Sequence, residues 1–258
     1  MTGLRTPSAR THARARLVCF PHAGGAASSY RLWSLDAPWD VEVSAVQYPG
    51  REDRYGEEAA GDMSALVAGI CADLVREQSA RPQCPLVLFG HSMGAAVAYE
   101  TARALAALGR APAALVVSGQ PAPHLTRGGA LHQADDEELL ADLRRLGGTG
   151  ADVLGHDALL AALLPAVRRD YRLIETYRPL PGRKLNLPVS VLYADADPEV
   201  DAAEAEAWRE STDGPCTVHA FRGGHFYLEH QREAVLARVA ASVRDALPAP
   251  STTWPALP

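Results

Sequence analysis

The chain has 258 residues, of which 47% are hydrophobic, and its 25 basic residues stand against 31 acidic ones for a formal net charge of −6. A chain of this length and composition can bury a full core and fits one large domain. Proteins that bind nucleic acid usually concentrate positive charge on one face, so the acidic balance argues against a nucleic-acid partner. No apolar run reaches the roughly 18 residues that a membrane-spanning helix needs, and we expect no membrane association.

The two ends of the chain show no regular pattern. Residues 1–16 contain four arginines and lack the apolar centre of a secretion signal, so we expect a disordered lead-in and a cytoplasmic protein. Residues 248–258 are rich in proline without periodicity, which predicts a loose tail. The four cysteines are widely spaced and lack the pairing typical of zinc ligands, which indicates buried thiols and no metal site.

Between residues 17 and 247, short β-rich runs alternate with helical patterns. This alternation is typical of a parallel sheet whose crossover helices cover both faces. The predicted strands are 17–20, 41–47, 86–89, 114–118, 188–193 and 217–221. The predicted helices are 63–77, 93–108, 201–210 and 228–247. We therefore predict a single α/β domain over residues 17–247.

The segment at 121–187 interrupts this rhythm. It is too long for one crossover, and its helix-like pieces at 135–146, 157–164 and 166–177 are separated by glycine or proline. The first piece begins with consecutive acidic residues, which the helix dipole favours at an N-terminus, so their expected role is capping rather than catalysis. The pattern predicts a helical insertion in the α/β domain.

The pentapeptide Gly90-His91-Ser92-Met93-Gly94 follows the apolar run 86–89 and precedes a helical pattern. A serine between glycines in this context is typical of a nucleophile elbow, a tight strand-to-helix turn that only small flanking residues tolerate. The turn holds the Ser92 hydroxyl above the edge of the sheet. The N–H of Met93 then points to the place where an acyl oxygen becomes negative. We predict Ser92 as a nucleophile and Met93 as a donor of an oxyanion hole.

A serine nucleophile needs a base within hydrogen-bond reach and a carboxylate that orients the base. His225 follows the last predicted strand and a glycine turn, which is where an open α/β sheet presents loops to its ligand crevice. We predict His225 as the base. His91 adjoins the serine, but a neighbouring residue on a sharp turn points elsewhere, so its expected role is packing beneath the elbow.

The acid is expected after the predicted strand 188–193, because in chains with this kind of elbow the acid lies between the serine and the histidine. Asp195 and Asp197 both lie there. Asp197 lies farther from the strand, and Pro198 restricts it to an extended conformation. We predict Asp197 as the acid and Asp195 as a carboxylate that stabilises the turn.

A second oxyanion donor is expected in the segment Pro21-His22-Ala23-Gly24-Gly25, which follows the first predicted strand. Glycines in such a loop let backbone amides approach a substrate. The N–H of Ala23 is the predicted donor. His22 is expected to brace the loop, and contact with substrate is the alternative.

Ordered motifs across residues 17–230 resemble those of the type II thioesterases that accompany polyketide synthases and nonribosomal peptide synthetases. The motifs are CFPHAGG at 19–25, VQYPGR at 46–51, FGHSMGA at 89–95, LP at 164–165, DYRLIETY at 170–177, DADP at 195–198 and GGHFYL at 223–228. The resemblance implies an α/β-hydrolase fold, with a mostly parallel central sheet, helices on both faces and the insertion 121–187 as a helical lid.

The same resemblance implies the reaction. Family members remove aberrant or stalled acyl units by hydrolysing thioesters on the phosphopantetheine arm of carrier proteins. The expected partners are therefore acyl carrier or peptidyl carrier protein domains. The enzyme would need no cofactor of its own, since the substrate brings the phosphopantetheine, and a monomer is the expected state.

Arginines near the predicted site are candidate contacts for phosphate or for an acidic carrier. They are Arg51, Arg54, Arg168, Arg169 and Arg172. For each one alone, a surface or helix-pairing role is the preferred interpretation, and contact with phosphate or carrier is the alternative.

Two other functions remain open on the residues alone. A carboxylesterase or lipase-like hydrolase of small esters would use the same triad, because esters and thioesters pass through similar tetrahedral oxyanions. A non-catalytic scaffold could keep the fold without the chemistry, although the complete set of Ser92, His225 and Asp197 argues against it.

Overall fold

A computed structural model of the chain describes residues 3–125, 127–148, 156–179 and 182–247. In these residues a seven-stranded sheet has the order β1-β3-β2-β4-β5-β6-β7. The strands are β1 (Leu4–Arg5), β2 (Ala15–Phe20), β3 (Val41–Val46), β4 (Leu86–His91), β5 (Ala114–Ser118), β6 (Val189–Ala194) and β7 (Cys216–Phe221). Strand β1 is antiparallel to β3, and the other neighbouring pairs are parallel.

The six predicted strands are confirmed to within two residues of their bounds. The runs 17–20 and 86–89 of the central strands β2 and β4 are continuously apolar because both of their faces are covered. Along β2, Val18 and Phe20 face one core cluster, whereas Leu17 and Cys19 face the other. The predicted mostly parallel sheet with helices on both faces is therefore confirmed.

Helices flank the sheet and connect its strands. In the described residues they are α1 (Arg31–Asp36), α2 (Met63–Ala80), α3 (Met93–Ala107), α4 (Asp136–Leu146), α5 (Asp157–Glu175), α6 (Ala202–Glu206), α7 (Tyr227–His230) and α8 (Arg232–Asp245). Helices α2 and α3 pack on one face, and α1 and α8 pack on the other. None of the described helices is long and apolar enough to cross a membrane.

The helix predictions need three local corrections outside the insertion. The predicted helix 201–210 is α-helical only over α6 and continues as a 3-10 helix, Ala207–Ser211. Helix α1 was not predicted, since only Trp33 and Ser34 of its six residues are buried and no periodic stripe marks it. The predicted helix 228–247 is divided by Gln231 into α7 and α8.

The insertion between β5 and β6 contains α4 and α5. The Asp135 carboxylate accepts a hydrogen bond from the Glu138 N–H at 2.9 Å, so the predicted capping role of the acidic run is confirmed. The prediction of two helices separated at Pro165 is wrong, because α5 runs through the proline without a break. Apolar contacts across that position stabilise the helix despite the lost hydrogen bond. They join Leu164, Val167 and Tyr171 of α5 to Leu139 and Leu143 of α4.

The prediction that residues 1–16 form a disordered lead-in is corrected for the described residues 3–16. Strand β1 pairs with β3 along the sheet edge, and β2 begins at Ala15. The Arg10 guanidinium donates to the carbonyl oxygens of Ser34, Ala37 and Val41 at 2.9 to 3.0 Å. A two-residue strand and an arginine bound to backbone carbonyls leave no periodic signal in the sequence. The predicted loose tail, 248–258, lies outside the described residues.

The four cysteines are free thiols, and their burial differs from the prediction. Cys19 and Cys71 are buried, whereas Cys84 and Cys216 are half-buried. Cys216 begins β7, the last strand of the sheet in the described residues, and no further strand among them covers its outer side.

Candidate active site

Ser92 lies on the turn between β4 and α3 in a backbone conformation that few residues adopt. Its φ of 54° and ψ of −128° are outside the regions favoured by L-residues. A Cβ on Gly90 would lie 2.1 Å from the Gly94 carbonyl oxygen, and a Cβ on Gly94 would lie 2.1 Å from the Phe20 carbonyl oxygen. Backbone therefore occupies the space of both missing side chains, which explains why the motif needs glycine at both positions.

His225 and Asp197 form a buried pair at the ends of neighbouring strands β7 and β6. The His225 Nδ1 atom lies 3.0 Å from each carboxylate oxygen of Asp197. The two side chains are 1% and 0% exposed. Within the described residues, the other ring nitrogen, Nε2, is buried and has no hydrogen-bond partner. The pair therefore has the geometry of an oriented base whose second nitrogen is free for a hydroxyl group.

Asp195 is separate from this pair. Its Oδ1 atom accepts a hydrogen bond from the Gly223 N–H at 2.9 Å, which joins the two loops that carry Asp197 and His225. The Glu199 N–H donates to Asp197 Oδ1, also at 2.9 Å, and fixes the carboxylate from the other side. The structure thus places Asp197 at the histidine and Asp195 at the turn, as predicted from the sequence.

His91 packs beneath the elbow, and its predicted burial is confirmed at 0% exposure. Its Nδ1 atom lies 2.9 Å from Ser118 Oγ, which lies 2.7 Å from the Tyr227 hydroxyl. Burial, with smaller contributions from the neighbouring His225 and His22, lowers the pKa of His91 well below its usual value. The ring is therefore a neutral packing surface under His225, 4.9 Å away between centroids.

Ala23 and Met93 line the same cavity as Ser92 and His225. Met93 is the first residue of α3, where a backbone N–H has no acceptor within the helix. Ala23 lies in a turn closed by a hydrogen bond from the Gly25 N–H to the His22 carbonyl oxygen at 3.0 Å. Both predicted oxyanion donors thus lie at the cavity that contains Ser92 and His225, and their role in binding an oxyanion stays a prediction.

His22 lies beside the base rather than in solvent. Its ring makes an edge contact with Phe226, 4.8 Å between centroids, and it also lines the cavity. Burial, followed by the charges of His225 and Arg51, lowers the pKa of His22 to about 3. Phe226 was not predicted as a site residue, although it follows the base directly in the sequence.

Arg51 and Asp170 form a buried ion pair next to the predicted oxyanion loop. The Arg51 guanidinium bonds both to the Asp170 carboxylate and to the Gly25 carbonyl oxygen. The Asp170 carboxylate also accepts a hydrogen bond from the Gly24 N–H at 2.7 Å. Arg51 lines the cavity, but these groups of the protein bind its side chain. Asp170 was missed from the sequence because 146 residues separate it from Gly24.

The remaining candidate arginines divide into two groups. Arg54 donates to the Gln47 carbonyl oxygen at 2.7 Å, and Arg168 donates to the His132 carbonyl oxygen at 3.0 Å, so both brace loops outside the cavity lining. Arg169 and Arg172 lie exposed on α5. Among these candidates, only Arg169 and Arg172 are exposed and therefore accessible to a partner.

The cavity above Ser92 has a volume of about 1060 Å³. Its apolar wall comes largely from the insertion, which contributes Leu131, Leu143, Leu163, Val167 and Ile174. Charged side chains line other parts, among them Arg127, Arg145, Glu175, Glu199 and Glu229. In the described parts of the chain, no group of three or more histidine, cysteine, aspartate or glutamate residues could hold a metal ion. The insertion forms a roof over the serine, and its apolar side chains can surround an acyl group.

A serine on a strained strand-to-helix turn, beside a buried histidine-aspartate pair at the carboxyl ends of a mostly parallel sheet, defines an α/β-hydrolase. A family model described as a thioesterase domain matches residues 15–243. The chain belongs to this thioesterase family.

Two similar proteins come from Streptomyces species. The chain is 44% identical over 237 residues to the probable cadicidin biosynthesis thioesterase of Streptomyces griseus. This match covers 92% of this chain and 64% of that protein. The chain is also 44% identical over 217 residues to the thioesterase PikA5 of Streptomyces venezuelae, covering 84% of this chain and 76% of that one. The chain thus spans slightly less than two thirds of the first relative.

A solved structure shows the same fold along nearly the whole chain. It is that of the type II thioesterase BorB from the borrelidin biosynthetic cluster, which is 43% identical and superimposes with a TM-score of 0.85. The match covers 93% of this chain and 97% of BorB. The expected α/β-hydrolase fold and the family resemblance are both confirmed.

Proposed function

We propose that this chain is a discrete type II thioesterase that hydrolyses acyl thioesters on the phosphopantetheine arm of carrier proteins. The observation that carries the proposal is the pairing of His225 with Asp197 beside Ser92, in a chain that belongs to the thioesterase family. The relatives named above include the probable cadicidin biosynthesis thioesterase and a type II thioesterase from the borrelidin biosynthetic cluster, which favours carrier-bound acyl groups over free esters.

Acylation begins when the Ser92 hydroxyl attacks the thioester carbonyl carbon. His225 Nε2 takes the hydroxyl proton, and Asp197 holds the ring through Nδ1 and stabilises the imidazolium that forms. The carbonyl oxygen becomes an oxyanion and accepts hydrogen bonds from the N–H groups of Ala23 and Met93. The carbon–sulfur bond then breaks, His225 returns the proton to the leaving sulfur, and the acyl group remains on Ser92.

Deacylation repeats these steps with water. His225 takes a proton from a water molecule as the water oxygen attacks the acyl-enzyme carbonyl carbon. The same two N–H groups donate hydrogen bonds to the oxyanion that forms. The bond to Ser92 breaks, and the proton on His225 passes to the serine oxygen. The acid is released, and the enzyme returns to its starting state. No step requires a metal or a cofactor of the enzyme, since the phosphopantetheine belongs to the substrate.

The roof of the cavity has two roles in this proposal. Its apolar side chains receive the acyl group, and the exposed Arg169 and Arg172 on its outer surface bind the phosphate of the arm or acidic residues of the carrier. The enzyme works as a monomer, with acyl carrier or peptidyl carrier domains as partners. The four free thiols fit the reducing conditions of the cytoplasm, where we place the reaction.

A comparison of matched substrates tests the proposal. Hydrolysis of one acyl group is measured on a phosphopantetheinylated carrier, on the free pantetheine thioester and on a p-nitrophenyl ester. We expect kcat/KM to be highest on the carrier, and Arg169→Ala with Arg172→Ala to reduce only that value. A small-ester hydrolase would show no benefit from the carrier. A scaffold would hydrolyse none of the three and would not react with a fluorophosphonate at Ser92.

A further inference from the structure

The turn at residues 22–25 is anchored differently on its two sides. Before Ala23, core tyrosines hold the chain. The Tyr30 hydroxyl donates to the Phe20 carbonyl oxygen and the Tyr48 hydroxyl to the Pro21 carbonyl oxygen, both at 3.1 Å. After Ala23, the Asp170 carboxylate of α5 accepts the Gly24 N–H at 2.7 Å, and the core holds the chain again at Ala27, whose N–H donates to Gln47 Oε1 at 2.8 Å. Between these core contacts, the loop that carries a proposed oxyanion donor is therefore attached to the roof.

Asp170 acts on two peptide groups of this loop, one directly and one through Arg51. Its Oδ2 atom accepts the Gly24 N–H directly, and its ion pair orients Arg51, which donates to the Gly25 carbonyl oxygen. The Arg51 and Asp170 side chains are 8% and 10% exposed, so water does not readily replace either contact. A carboxylate on α5 thus fixes the orientation of the Ala23–Gly24 peptide group, which adjoins the Ala23 N–H.

Helix α5 also touches the loop one turn before Asp170. A Cβ on Gly24 would lie 2.9 Å from Val167 Cγ2, and Gly24 has a φ of 79°, which only glycine adopts readily. The loop and the helix are therefore in direct contact, with no space between them for even a methyl group. Any outward movement of α5 removes the packing and the hydrogen bond at Gly24 together.

We propose that Asp170 is a positioning residue that makes the geometry of the oxyanion hole depend on the position of α5 against the loop. When the roof is closed, Asp170 and Arg51 hold the Ala23 N–H toward the reacting carbonyl. When α5 moves away to admit the arm, the loop loses its outer anchor and the hole loosens. Hydrolysis is then fast only after the roof has closed over a substrate. This inference rests on the proposed function, since it concerns the same reaction at Ser92.

The test compares Asp170→Asn and Asp170→Ala with Asp136→Asn. Asp136 is a matched control, because it forms an ion pair with Arg168 of α5 at 2.6 Å and does not contact the loop. Rates are measured per active site, counted by complete labelling of Ser92 with a fluorophosphonate. We expect kcat to fall about 10- to 100-fold in Asp170→Ala and less in Asp170→Asn, with KM changed less than about threefold, because losing one oxyanion donor costs about 100- to 1000-fold. Asp136→Asn should stay within about twofold, because its contacts do not reach the oxyanion loop.

A second measurement separates positioning from stability. An acyl trifluoromethyl ketone forms a tetrahedral oxyanion on the serine, so its inhibition constant should rise by the same factor by which kcat/KM falls. A non-cleavable thioether analogue should bind as in the wild type. Lower thermal stability with unchanged kcat per labelled site, or an equal loss in Asp136→Asn, would overturn the proposal. Asp170→Asn decides the matter if Asp170→Ala does not fold.

Failure of the proposed function gives a different result. If the wild type cleaves no carrier thioester but labels at Ser92, the labelling rates of the same variants still measure the oxyanion loop. A slower rate in Asp170→Asn than in Asp136→Asn then supports the role of Asp170 in an enzyme with another substrate. Equal labelling rates overturn that role, whatever the substrate is.

Discussion

The floor of the active site and its roof are held in place in different ways. In the floor, buried hydrogen bonds connect β4, β5 and α7 through His91, Ser118 and Tyr227. The roof has its own small apolar cluster, and polar contacts at two loops join it to the floor together with the packing of Leu173 and Ile174 on the main core. The floor is therefore suited to fixed chemistry, whereas the roof is attached through separate contacts that can be broken one at a time.

The roof contacts themselves differ in exposure. At the oxyanion loop, Arg51 and Asp170 form a buried pair, but at the acid loop Arg145 and Glu199 form a pair whose side chains are 46% and 39% exposed. Breaking a buried pair leaves an uncompensated charge, while exposed pairs contribute little and are screened by salt. We infer that the roof is held firmly at α5 and loosely at α4.

The largest expected effect comes from breaking the firm anchor. Arg51→Met leaves the Asp170 carboxylate buried without an opposite charge, so the free energy of unfolding should fall by about 3–5 kcal/mol. The double variant Arg51→Met with Asp170→Leu should recover most of that stability, because apolar side chains replace both charges. Its kcat should stay low, since the Gly24 N–H has lost its acceptor. Urea denaturation and steady-state kinetics on both variants would measure this separation, and recovery of kcat in the double variant would contradict it.

The next effect concerns the floor and pH. His91 has a lowered pKa in the folded state, so between that value and about 6.5 the unfolded chain binds a proton that the native protein does not. Stability is then full above about pH 6.5 and falls as the pH drops, by about 1.4 kcal/mol per pH unit for one such histidine. His91→Gln should make the pH dependence less steep. Urea denaturation between pH 4 and 8 checks this, and an unchanged slope would show that the buried ring takes up a proton freely.

The smallest effect is expected at the loose anchor. Glu199→Gln removes the charge that pairs with Arg145 and leaves the backbone N–H that donates to Asp197. Stability should change by less than about 1 kcal/mol, because the pair is exposed, and the difference should shrink further in high salt. Thermal unfolding at low and high salt would measure it. A loss as large as that of Arg51→Met would mean that the two ends of the roof are held equally firmly.

Much of this arrangement could be predicted from local sequence. The Gly90–Gly94 turn, the strands and the order of Ser92, Asp197 and His225 each depend on neighbouring residues or on short-range periodicity, and the structure places them as expected. Tertiary contacts decided the elements that were missed. Helix α5 continues through Pro165 because apolar packing continues on both sides of it.

The anchors of the site were harder to predict than its chemistry. Asp170 stood in a motif that the family resemblance included, but no local pattern connects it with Gly24. Arg51 was a candidate contact for phosphate or carrier, with a surface or helix-pairing role preferred, yet its charge is bound inside the protein. Long-range pairing between a loop and an inserted helix is set by the folded geometry, which spacing along the chain does not reveal.

The most direct test of the central claim is hydrolysis of an acyl-carrier thioester by the wild type and by Ser92→Ala. Both proteins are purified in the same way, and release of the acid is followed together with the intact mass of the enzyme. We expect the wild type to release acid and Ser92→Ala to be slower by about 10⁴- to 10⁶-fold, in line with other serine triads. Retained hydrolysis by Ser92→Ala, or a wild type that labels at Ser92 but leaves the carrier thioester intact, would contradict the account.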